Sequence, residues 1–366
     1  MRKKIAVGVL GATGVVGQNY VRLLANHPWF EIKDMAASFR SAGKRYEEAT
    51  SGKWLMDSGI PEILKNVVVR DVLDYENIPE EIQLFFSATE LQDKEATREF
   101  EFAYAKKGYP VISNSSANRW TRDVPMVVPE INAAHLEILK IQQRKRALPA
   151  SGFVAVKPNC SVQSYLVAIH ALREAGYPVK EILVNTLQAL SGAGYRGLTS
   201  PEMQATVSPM IPGEEEKTEK EPTKILGRLV NSEIVPDTSI IMSALCTRVP
   251  VIDGHTALVY LNFADRVPTL EQITRIWSEF KAEPQSLNLP FAPHPAIIVR
   301  NENDRPQVKL DVDNGNGMAI TIGRLEKDKF FHIRFVALSH NTIRGAAGGA
   351  ILTAELLVEK GYIKPG

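Results

Sequence analysis

The chain has 366 residues, 44% of them hydrophobic, and a formal net charge of +1. Its length predicts two domains. Its near-zero net charge provides no basic field that would attract nucleic acid or an anionic membrane. No apolar stretch reaches the roughly 20 residues that span a bilayer. The two cysteines, Cys160 and Cys246, are too few for a disulfide framework, which predicts a reducing, cytoplasmic setting.

The first third of the chain alternates strand and helix patterns. Ile5–Leu10 is predicted as a buried first strand, residues 14–26 show helical periodicity, and Phe30–Ala37 is predicted as a second strand. Further strands are predicted at residues 67–69, Leu84–Ser87 and Pro110–Ser113. The alternation is typical of a parallel, doubly wound sheet, which makes this region a Rossmann-type α/β domain.

A glycine-rich turn connects the first strand to the first helix. Gly11 permits a tight turn, Gly14 lets a phosphate approach the backbone, and Gly17 lets the helix pack closely on the strand. Free amides at the start of the helix would bind the pyrophosphate of a dinucleotide. The alternative is a glycine-rich turn without a ligand. The residues predicted to bind the cofactor here are Gly11, Thr13, Gly14, Val15, Val16 and Gly17.

The end of the second strand indicates which dinucleotide binds. NAD enzymes usually place a carboxylate there for the ribose hydroxyls. This chain instead has Ser38, Arg40, Ser41 and Lys44, which are two hydroxyls and two cations. They would accommodate a 2′-phosphate, so NADP is favoured over NAD. The alternative is a solvated basic loop.

After about residue 155 the pattern changes to long β-type runs. These runs cover residues 181–190, 257–263, 307–313, 318–325 and 330–338. They predict a second α+β domain with a mostly antiparallel sheet. Residues 346–360 are predicted as a strongly amphipathic helix that packs back on the first domain. The predicted domains are residues 1–156, completed by 345–366, and a catalytic and oligomerisation domain at 157–344.

Cys160 is the candidate nucleophile. It follows Pro158 and Asn159, and Asn159 is a good N-cap for the helical run that comes next. Cys160 is therefore expected in the first turn of a helix, where the helix dipole would lower the pKa of its thiol. The alternative is a buried structural cysteine. Cys246, within a strand-like run before Arg248, fits that alternative better.

A nucleophilic cysteine needs a proton partner, and His255 has the most suggestive position. It follows Gly254 in a turn before a predicted strand, so it is the candidate general acid or base. His170 on a helix and His332 in a strand are more easily explained as structural.

Taken together, eight motifs in order resemble the aspartate-semialdehyde dehydrogenases of the archaeal and fungal branch, over nearly the whole chain. Beyond the glycine-rich turn and residues 38–44, they are VPMVVPE at 124–130, PNCS at 158–161, QALSGAG at 188–194, GEEEK at 213–217, RVPVIDGH at 248–255 and HNTIRG at 340–345.

The resemblance implies NADPH-dependent reduction of aspartyl phosphate to aspartate semialdehyde and phosphate, which feeds lysine, threonine, methionine and isoleucine synthesis. Cys160 would form a thioester, His255 would shuttle a proton, and Gln188 would orient the substrate. The resemblance also implies a homodimer or homotetramer. No metal site is predicted.

The resemblance assigns the small ligands to charged residues. Arg248 would bind the substrate carboxylate through its two-pronged guanidinium group, Glu214 would bind the substrate ammonium, and Lys217 would bind phosphate. Helical spacing puts Glu214 and Lys217 on one face, although composition alone would make this run a solvated helix. Further phosphate candidates are Arg119 and Asn159, and further cofactor candidates are Ser87, Ser191, Gly192 and Asn341.

One residue departs from the family pattern. Many members have Asn-Pro-Asn-Cys at the nucleophile, whereas this chain has Lys157 in the first position. The lysine is either harmless or further favours the thiolate of Cys160.

Three other functions share parts of this pattern. Malonyl-CoA reductase shares the cysteine and the histidine, but it has no need of an ammonium-binding glutamate or a phosphate site, so Glu214 and Lys217 argue against it. N-acetylglutamyl-phosphate reductase matches the motifs less well. An inactive NADP-sensing protein would have no need of Cys160, Gln188 and His255.

Overall fold

The computed structural model describes residues 3–364. The outermost residues of the predicted first domain, 1–2 and 365–366, lie outside the described part. Within residues 3–364 the chain forms two six-stranded sheets and a small two-stranded ribbon. The predicted boundary between residues 156 and 157 falls directly after the last strand of the first sheet.

The first sheet is parallel throughout, in the order β3-β2-β1-β4-β5-β6. Its strands are β1 Ile5–Leu10, β2 Phe30–Ala37, β3 Arg70–Asp71, β4 Leu84–Ser87, β5 Pro110–Ser113 and β6 Phe153–Val156. The helices of this region are α1 Val15–Leu24, α2 Tyr46–Ala49, α3 Lys94–Lys106, α4 Pro129–Asn132 and α5 Ile138–Lys145. The predicted parallel, doubly wound sheet is confirmed.

The strand predicted at residues 67–69 is wrong in its position. Val68 makes an isolated antiparallel bridge to Arg45, and the strand that joins the first sheet covers Arg70–Asp71. Arg70 fixes this register because its guanidinium pairs with the buried Asp34 of β2 at 2.6 Å. The valine run therefore packs beside the sheet edge instead of entering it.

The second sheet has the order β10-β7-β11-β14-β13-β12, antiparallel at its centre and parallel at both edges. The strands are β7 Val179–Gln188, β8 Arg228–Val230, β9 Glu233–Val235, β10 Ile241–Arg248, β11 His255–Phe263, β12 Ile297–Val299, β13 Ile320–Lys327 and β14 Ile333–Ser339. The helices are α6 Leu166–Glu174, α7 Gly194–Thr199, α8 Pro201–Gln204, α9 Glu214–Ile225, α10 Leu270–Glu279, α11 Glu283–Ser286, α12 Val308–Asp311 and α13 Gly348–Glu359. The predicted α+β class of this region is confirmed.

The strand predicted at residues 307–313 is wrong, because this segment forms α12. The carboxylate of Asp311 accepts from the backbone N–H of Gln307 at 2.8 Å and pairs with Arg305. This local bond folds the backbone back on itself over four residues. The alternation of apolar residues that resembled a strand therefore arises in a short helix.

The C-terminal helix α13 packs on the first sheet, and contrary to the prediction it is not amphipathic. Each residue from Gly348 to Val358 is buried. Its apolar residues share one core cluster with β1 residues such as Ile5 and Val7. Its one buried carboxylate, Glu355, contacts His27 at 2.7 Å. A helix covered on all sides has no polar face, which explains the difference from the prediction.

Strand ends from both sheets converge on one region. β7 and β10 run parallel and end opposite each other at Gln188 and Arg248. β11 is antiparallel to β7, so its first residue, His255, lies at the same end of these strands as Gln188 and Arg248. The chain that leaves β6 of the first sheet reaches Cys160, which lies within hydrogen-bonding distance of His255. The topology thus brings together residues from distant parts of the sequence.

Candidate active site

The segment that contains Cys160 follows the end of β6. Beyond Cys160 the chain makes a 3-10 turn at Val162–Ser164, and α6 begins at Leu166. Asn159 Oδ1 accepts from the N–H of Ser161 at 2.8 Å and from its hydroxyl at 2.7 Å. The prediction that Cys160 lies in the first turn of an α-helix is therefore wrong, because Asn159 closes a local turn instead of capping the helix.

Cys160 and His255 form a close pair. The Sγ atom lies 3.3 Å from Nε2 of the imidazole. The other ring nitrogen, Nδ1, accepts from the backbone N–H of Ala189 at 3.1 Å. An Nδ1 atom that accepts a hydrogen bond carries no proton in a neutral ring, so the proton lies on Nε2 and faces the sulfur.

Burial drives the pKa values of this pair apart. It raises the pKa of the Cys160 thiol to about 11, and the nearby Glu214 carboxylate adds to the rise. It lowers the pKa of His255 to about 3, with the cation of Arg248 acting in the same direction. Both groups are therefore neutral at neutral pH in the free protein. The expected lowering of the thiol pKa by a helix dipole is wrong, since the α-helix begins beyond Cys160.

A buried carboxylate organises the residues next to Cys160. Glu214 is the first residue of α9, and its Oε1 accepts from Asn159 Nδ2 at 2.7 Å and from Gln188 Nε2 at 3.2 Å. Its Oε2 pairs with Lys217 Nζ at 3.2 Å, one turn along the helix. The structure thus brings four predicted site residues into one hydrogen-bonded cluster. The helix face expected from their spacing is confirmed for Glu214 and Lys217.

The sequence reasoning missed Glu221, two turns further along α9. Its Oε2 accepts from the backbone N–H of Asn159 at 2.6 Å, and its Oε1 pairs with Arg119 Nη1 at 2.8 Å. Arg119 also donates from Nε to the Lys157 carbonyl at 3.0 Å and from Nη2 to the Asn114 carbonyl at 3.1 Å. Glu221 therefore fixes the backbone directly before Cys160. Its spacing of seven residues from Glu214 was the available signal.

Arg248 lies at the end of β10, beside Gln188 of β7. Its Nη1 donates to the Ala189 carbonyl at 2.6 Å, and its side chain is largely buried. Gly192 faces both Arg248 and His255 without a side chain between them. Gly192 therefore lets the guanidinium group of Arg248 and the imidazole of His255 lie close to the same stretch of backbone.

The glycine-rich turn has the geometry that a dinucleotide requires. Gly11 has φ 81°, and a Cβ atom there would stand 2.8 Å from the Ala88 carbonyl oxygen. A Cβ atom on Gly17 would stand 2.1 Å from the Gly11 carbonyl oxygen, so only glycine lets α1 pack this closely. Gly14 at the N-cap has no side chain to compete for the first amides of α1, and Val15 begins the helix. These amides are a ready anion site, which fits a pyrophosphate.

The loop predicted to select NADP is accessible. Ser38 and Arg40 are exposed, and Ser41 is partly exposed. The Ser38 carbonyl accepts from the backbone N–H of Ser41 at 2.8 Å, which closes a turn directly after β2. The hydroxyls and the guanidinium group are therefore presented at the carboxyl end of the sheet, where dinucleotides bind in such folds.

Ser87 and Asn341 are engaged by the protein itself. Ser87 is buried at the end of β4, and its hydroxyl donates to the carboxylate of Glu101 at 3.1 Å. Asn341 donates to the Ser191 hydroxyl at 2.7 Å and accepts from the N–H of Gly254 at 2.8 Å. Asn341 therefore ties the segment before His255 to the loop that contains Gly192.

Within residues 3–364, His, Cys, Asp and Glu side chains form no group of three or more that could hold a metal ion. In the same range, every helix is too short or too polar to cross a membrane.

Comparisons with known protein families match both parts of the chain. Residues 6–139 match the family model described as "Semialdehyde dehydrogenase, NAD binding domain". Residues 169–344 match the model described as "Semialdehyde dehydrogenase, dimerisation domain". The first match contains the glycine-rich turn, and the second contains His255 and Glu214.

Curated relatives and a solved structure agree with these matches. The aspartate-semialdehyde dehydrogenase of Archaeoglobus fulgidus is 41% identical over 360 residues, covering 98% of this chain and 100% of that protein. The aspartate-semialdehyde dehydrogenase of Schizosaccharomyces pombe is 40% identical over 363 residues, covering 98% and 99%. The crystal structure of aspartate semialdehyde dehydrogenase with NADP from Candida albicans superposes with a TM-score of 0.88 at 37% identity, covering 99% of this chain and 100% of that one.

Proposed function

This chain belongs to the aspartate-semialdehyde dehydrogenase family, and from that premise we propose that it reduces L-aspartyl-4-phosphate to L-aspartate 4-semialdehyde and phosphate through a thioester on Cys160. It is an NADP-dependent oxidoreductase of amino-acid biosynthesis. The observation that supports Cys160 as nucleophile is the 3.3 Å approach of its Sγ atom to His255 Nε2.

The reaction balances around the sulfur atom. The thiolate of Cys160 attacks the acyl carbon, the bond to phosphate breaks, and the acyl group becomes a thioester. NADPH at the glycine-rich turn supplies the hydride that reduces this acyl group. The hemithioacetal alkoxide then collapses to the aldehyde and returns the thiolate. His255, protonated on Nε2, donates a hydrogen bond to the sulfur and to the hemithioacetal oxygen, which stabilises both anions.

Each polar or charged residue around the sulfur binds a different group of the substrate or the phosphate. Arg248 binds the substrate carboxylate, Glu214 binds the substrate ammonium, and Gln188 orients the acyl group. Lys217 binds phosphate. The partly exposed position of Lys217 supports this role, since its ammonium lies at the rim of the cluster.

Arg119 and Asn159 complete the proposed phosphate site. Arg119 uses its Nε, one N–H of Nη1 and one N–H of Nη2 for protein contacts. A guanidinium group has five N–H bonds, so N–H groups on Nη1 and Nη2 remain to donate to a phosphate oxygen. The side-chain amide of Asn159 already donates to Glu214, so its contact with phosphate depends on the second amide hydrogen.

The cofactor residues follow from the same fold. The amides of Thr13, Val15 and Val16 hold the pyrophosphate, which Gly11 and Gly14 allow to approach the backbone. The loop from Ser38 to Ser41 holds the 2′-phosphate. The exposure of this loop and the tight packing at Gly11 and Gly17 support this placement. A second set lies nearer the nicotinamide and consists of Ser87, Ser191, Gly192 and Asn341.

Assembly of the second domain into a homodimer or homotetramer is part of the proposal. The match to a dimerisation domain supports it. Ile241 and Leu245 of the edge strand β10 are 63% and 53% exposed, so this strand offers apolar surface to a second copy. The unpaired thiols of Cys160 and Cys246 support a reducing, cytoplasmic location. Light scattering behind a sizing column would give the oligomeric state directly.

One assay tests the function. The purified protein is mixed with NADP, aspartate semialdehyde and phosphate, and the NADPH absorbance band is followed. A rise that depends on phosphate is expected. A signal with a coenzyme A thioester alone would indicate an acyl-CoA reductase instead. Binding of NADP without turnover would indicate a sensing protein.

A further inference from the structure

Lys157, two residues before Asn159, is buried without a full set of acceptors. It is 2% exposed, and an ammonium group can donate three hydrogen bonds. Within residues 3–364 its Nζ has one acceptor, the Pro158 carbonyl at 3.3 Å. The buried Lys224, in contrast, donates to the backbone carbonyls of Arg119, Thr121 and Val124 at 2.6, 3.1 and 2.9 Å. Burial of a poorly paired ammonium costs free energy, so a nearby group that can become an anion would stabilise the charge of Lys157.

Lys157 and Cys160 contact the same helical segment, at the junction of a π-helical turn at Ile343–Ala347 and α13. A Cβ atom on Gly345 would stand 2.9 Å from the Cβ of Cys160. A Cβ atom on Gly349 would stand 3.1 Å from the Cε of Lys157. Positions four residues apart on a helix are about 5–6 Å apart. The end of the lysine side chain and Cys160 therefore pack against the same segment, about one helical turn apart.

The other charges near Lys157 have partners of their own. Glu221 of α9 pairs with Arg119 at 2.8 Å, and Arg344 of the π-helical turn pairs with Glu130 at 2.9 Å. Both carboxylates are thus neutralised by arginines. Of the groups that act on the charge of Lys157, Arg119, Arg344 and Glu221 have ion-pair partners within residues 3–364, and Cys160 does not.

We propose that Lys157 is a positioning residue for the nucleophile, whose ammonium charge stabilises the thiolate of Cys160. This inference rests on the proposed function, because it assigns the same sulfur as the nucleophile. When the thiolate forms, the S–H bond breaks and the proton passes to water at the partly exposed face of Cys160. Lys157 thereby supplies the positive charge that the helix dipole does not.

The charge on Lys157 itself depends on pH in the physiological range. Burial lowers its pKa to about 7, while the sulfur of Cys160 raises it, Arg119 and Arg344 lower it further, and Glu221 raises it. Below this pH the ammonium stabilises the thiolate, and above it the neutral amine does not. The two sites therefore titrate as a coupled pair.

The experiment measures how the rate of alkylation of Cys160 by iodoacetamide depends on pH, in the full-length protein with peptide mapping by mass spectrometry. Wild type is compared with Lys157→Met, which keeps the length of the side chain and removes the charge. Lys224→Met is the matched control, because it removes a buried lysine that is held by carbonyls away from the sulfur. Folding of each variant is checked by NADPH binding and by its melting temperature.

Wild type should react about tenfold faster than Lys157→Met at about pH 6, and at nearly the same rate at about pH 9.5, where the amine is neutral. Lys224→Met should follow wild type in the shape of its profile. A constant ratio between wild type and Lys157→Met across this range would overturn the proposal.

The wild-type profile is a second test that needs no variant. If Lys157→Met does not fold, the logarithm of the wild-type rate should still flatten near about pH 7 between two lines of unit slope. A single straight line of unit slope would overturn the proposal. Failure of the proposed function is recognised by a different measurement. In that case Cys160→Ala would keep the turnover of wild type, whatever pH profile the alkylation rates show.

Discussion

Gly192 lies so close to Arg248 that a Cβ atom added to it would stand 2.7 Å from Nη1 of the guanidinium group. The same Cβ atom would stand 3.3 Å from Nε2 of His255. Both contacts are with movable side-chain ends, so an added methyl group would displace them and leave the backbone in place. The absence of a side chain at Gly192 therefore leaves room for the guanidinium group of Arg248 and the imidazole of His255.

Gly192→Ala should fold with a melting temperature near that of wild type and lose catalytic efficiency. The displaced Arg248 would bind the substrate carboxylate less well, so we expect the KM for aspartate semialdehyde to rise about tenfold. Gly59→Ala is the matched control, because nothing lies within 4 Å of a Cβ atom at that position. Unchanged kinetics of Gly192→Ala would show that the space next to Arg248 is not used.

Cys160→Ala should bind NADPH and lose essentially all turnover, since the thioester route then has no nucleophile. Iodoacetamide should modify Cys160 well before the fully buried Cys246, which is 0% exposed. Cys246→Ala serves as the control and should remain active. Peptide mapping that showed Cys246 reacting first, or an active Cys160→Ala variant, would contradict the covalent mechanism.

Ser38→Asp should reverse the cofactor preference from NADP to NAD. A carboxylate at the end of β2 repels the 2′-phosphate and accepts hydrogen bonds from the free ribose hydroxyls. The measurement is kcat/KM with each cofactor, and Ser58→Asp on another exposed loop is the control. Equal efficiency of wild type with both cofactors would show that the loop from Ser38 to Lys44 does not select NADP.

Lys217→Ala and Arg248→Ala should weaken different ligands in the phosphorylating direction. Lys217→Ala should raise the KM for phosphate, and Arg248→Ala should raise the KM for aspartate semialdehyde. Each increase should be about one to two decades, because a lost charge-assisted contact costs about 1.5–3 kcal/mol. Arg248→Lys should not rescue, because an ammonium cannot replace the two-pronged guanidinium.

The ratio of the two KM values is the safest measurement, since turnover also falls if orientation is lost. Lys220→Ala is the control for the first variant, because Lys220 lies on the same helix and pairs with Glu216 at 2.8 Å on the surface. If Lys217→Ala and Arg248→Ala weaken both ligands equally, the proposed division between phosphate and carboxylate is wrong.

Glu221→Ala and Arg119→Ala should each lower the free energy of unfolding. The double variant should lose less than the sum of these two losses. Removing one partner of a buried ion pair costs about 3–5 kcal/mol, because the other charge stays buried without a partner. A double-mutant cycle from urea unfolding measures this coupling. Glu216→Ala, which removes a surface partner of Lys220, should leave the stability unchanged. Additive effects of Glu221→Ala and Arg119→Ala would show that the pair does not hold the Asn159 segment.

Local sequence patterns predicted the elements whose strands are buried on both faces. β1, β4 and β5 begin and end where the sequence predicted, because continuous apolar runs bounded by turns leave little choice of register. The bounds of β2 were also predicted, although Glu31 and Lys33 in that strand are exposed. The predictions at residues 67–69 and 307–313 failed, because a single buried carboxylate, Asp34 or Asp311, redirects the chain there. Such side-chain bonds are invisible in a pattern of apolar residues.

The sequence indicated that Cys160 and His255 meet, but it did not indicate the electrostatics around them. Cys160 and His255, 95 residues apart, were paired correctly in the sequence and lie in contact. The helix expected at Cys160 failed because Asn159 bonds to Ser161, and Glu221 escaped notice because its partners are distant in sequence. Motifs identify which residue types meet, whereas burial and long-range pairing decide their charge.

The position of α13 has a consequence for synthesis on the ribosome. The apolar face that contains Ile5 and Val7 shares its core cluster with the last helix, which is translated after the whole second domain. A nascent first domain must therefore wait, with this face uncovered, while more than half of the chain is made. Gly345 reaches Cys160 at the same late stage. An incompletely translated chain thus has neither a finished cofactor domain nor a finished active site, and its uncovered face is a natural target for chaperones.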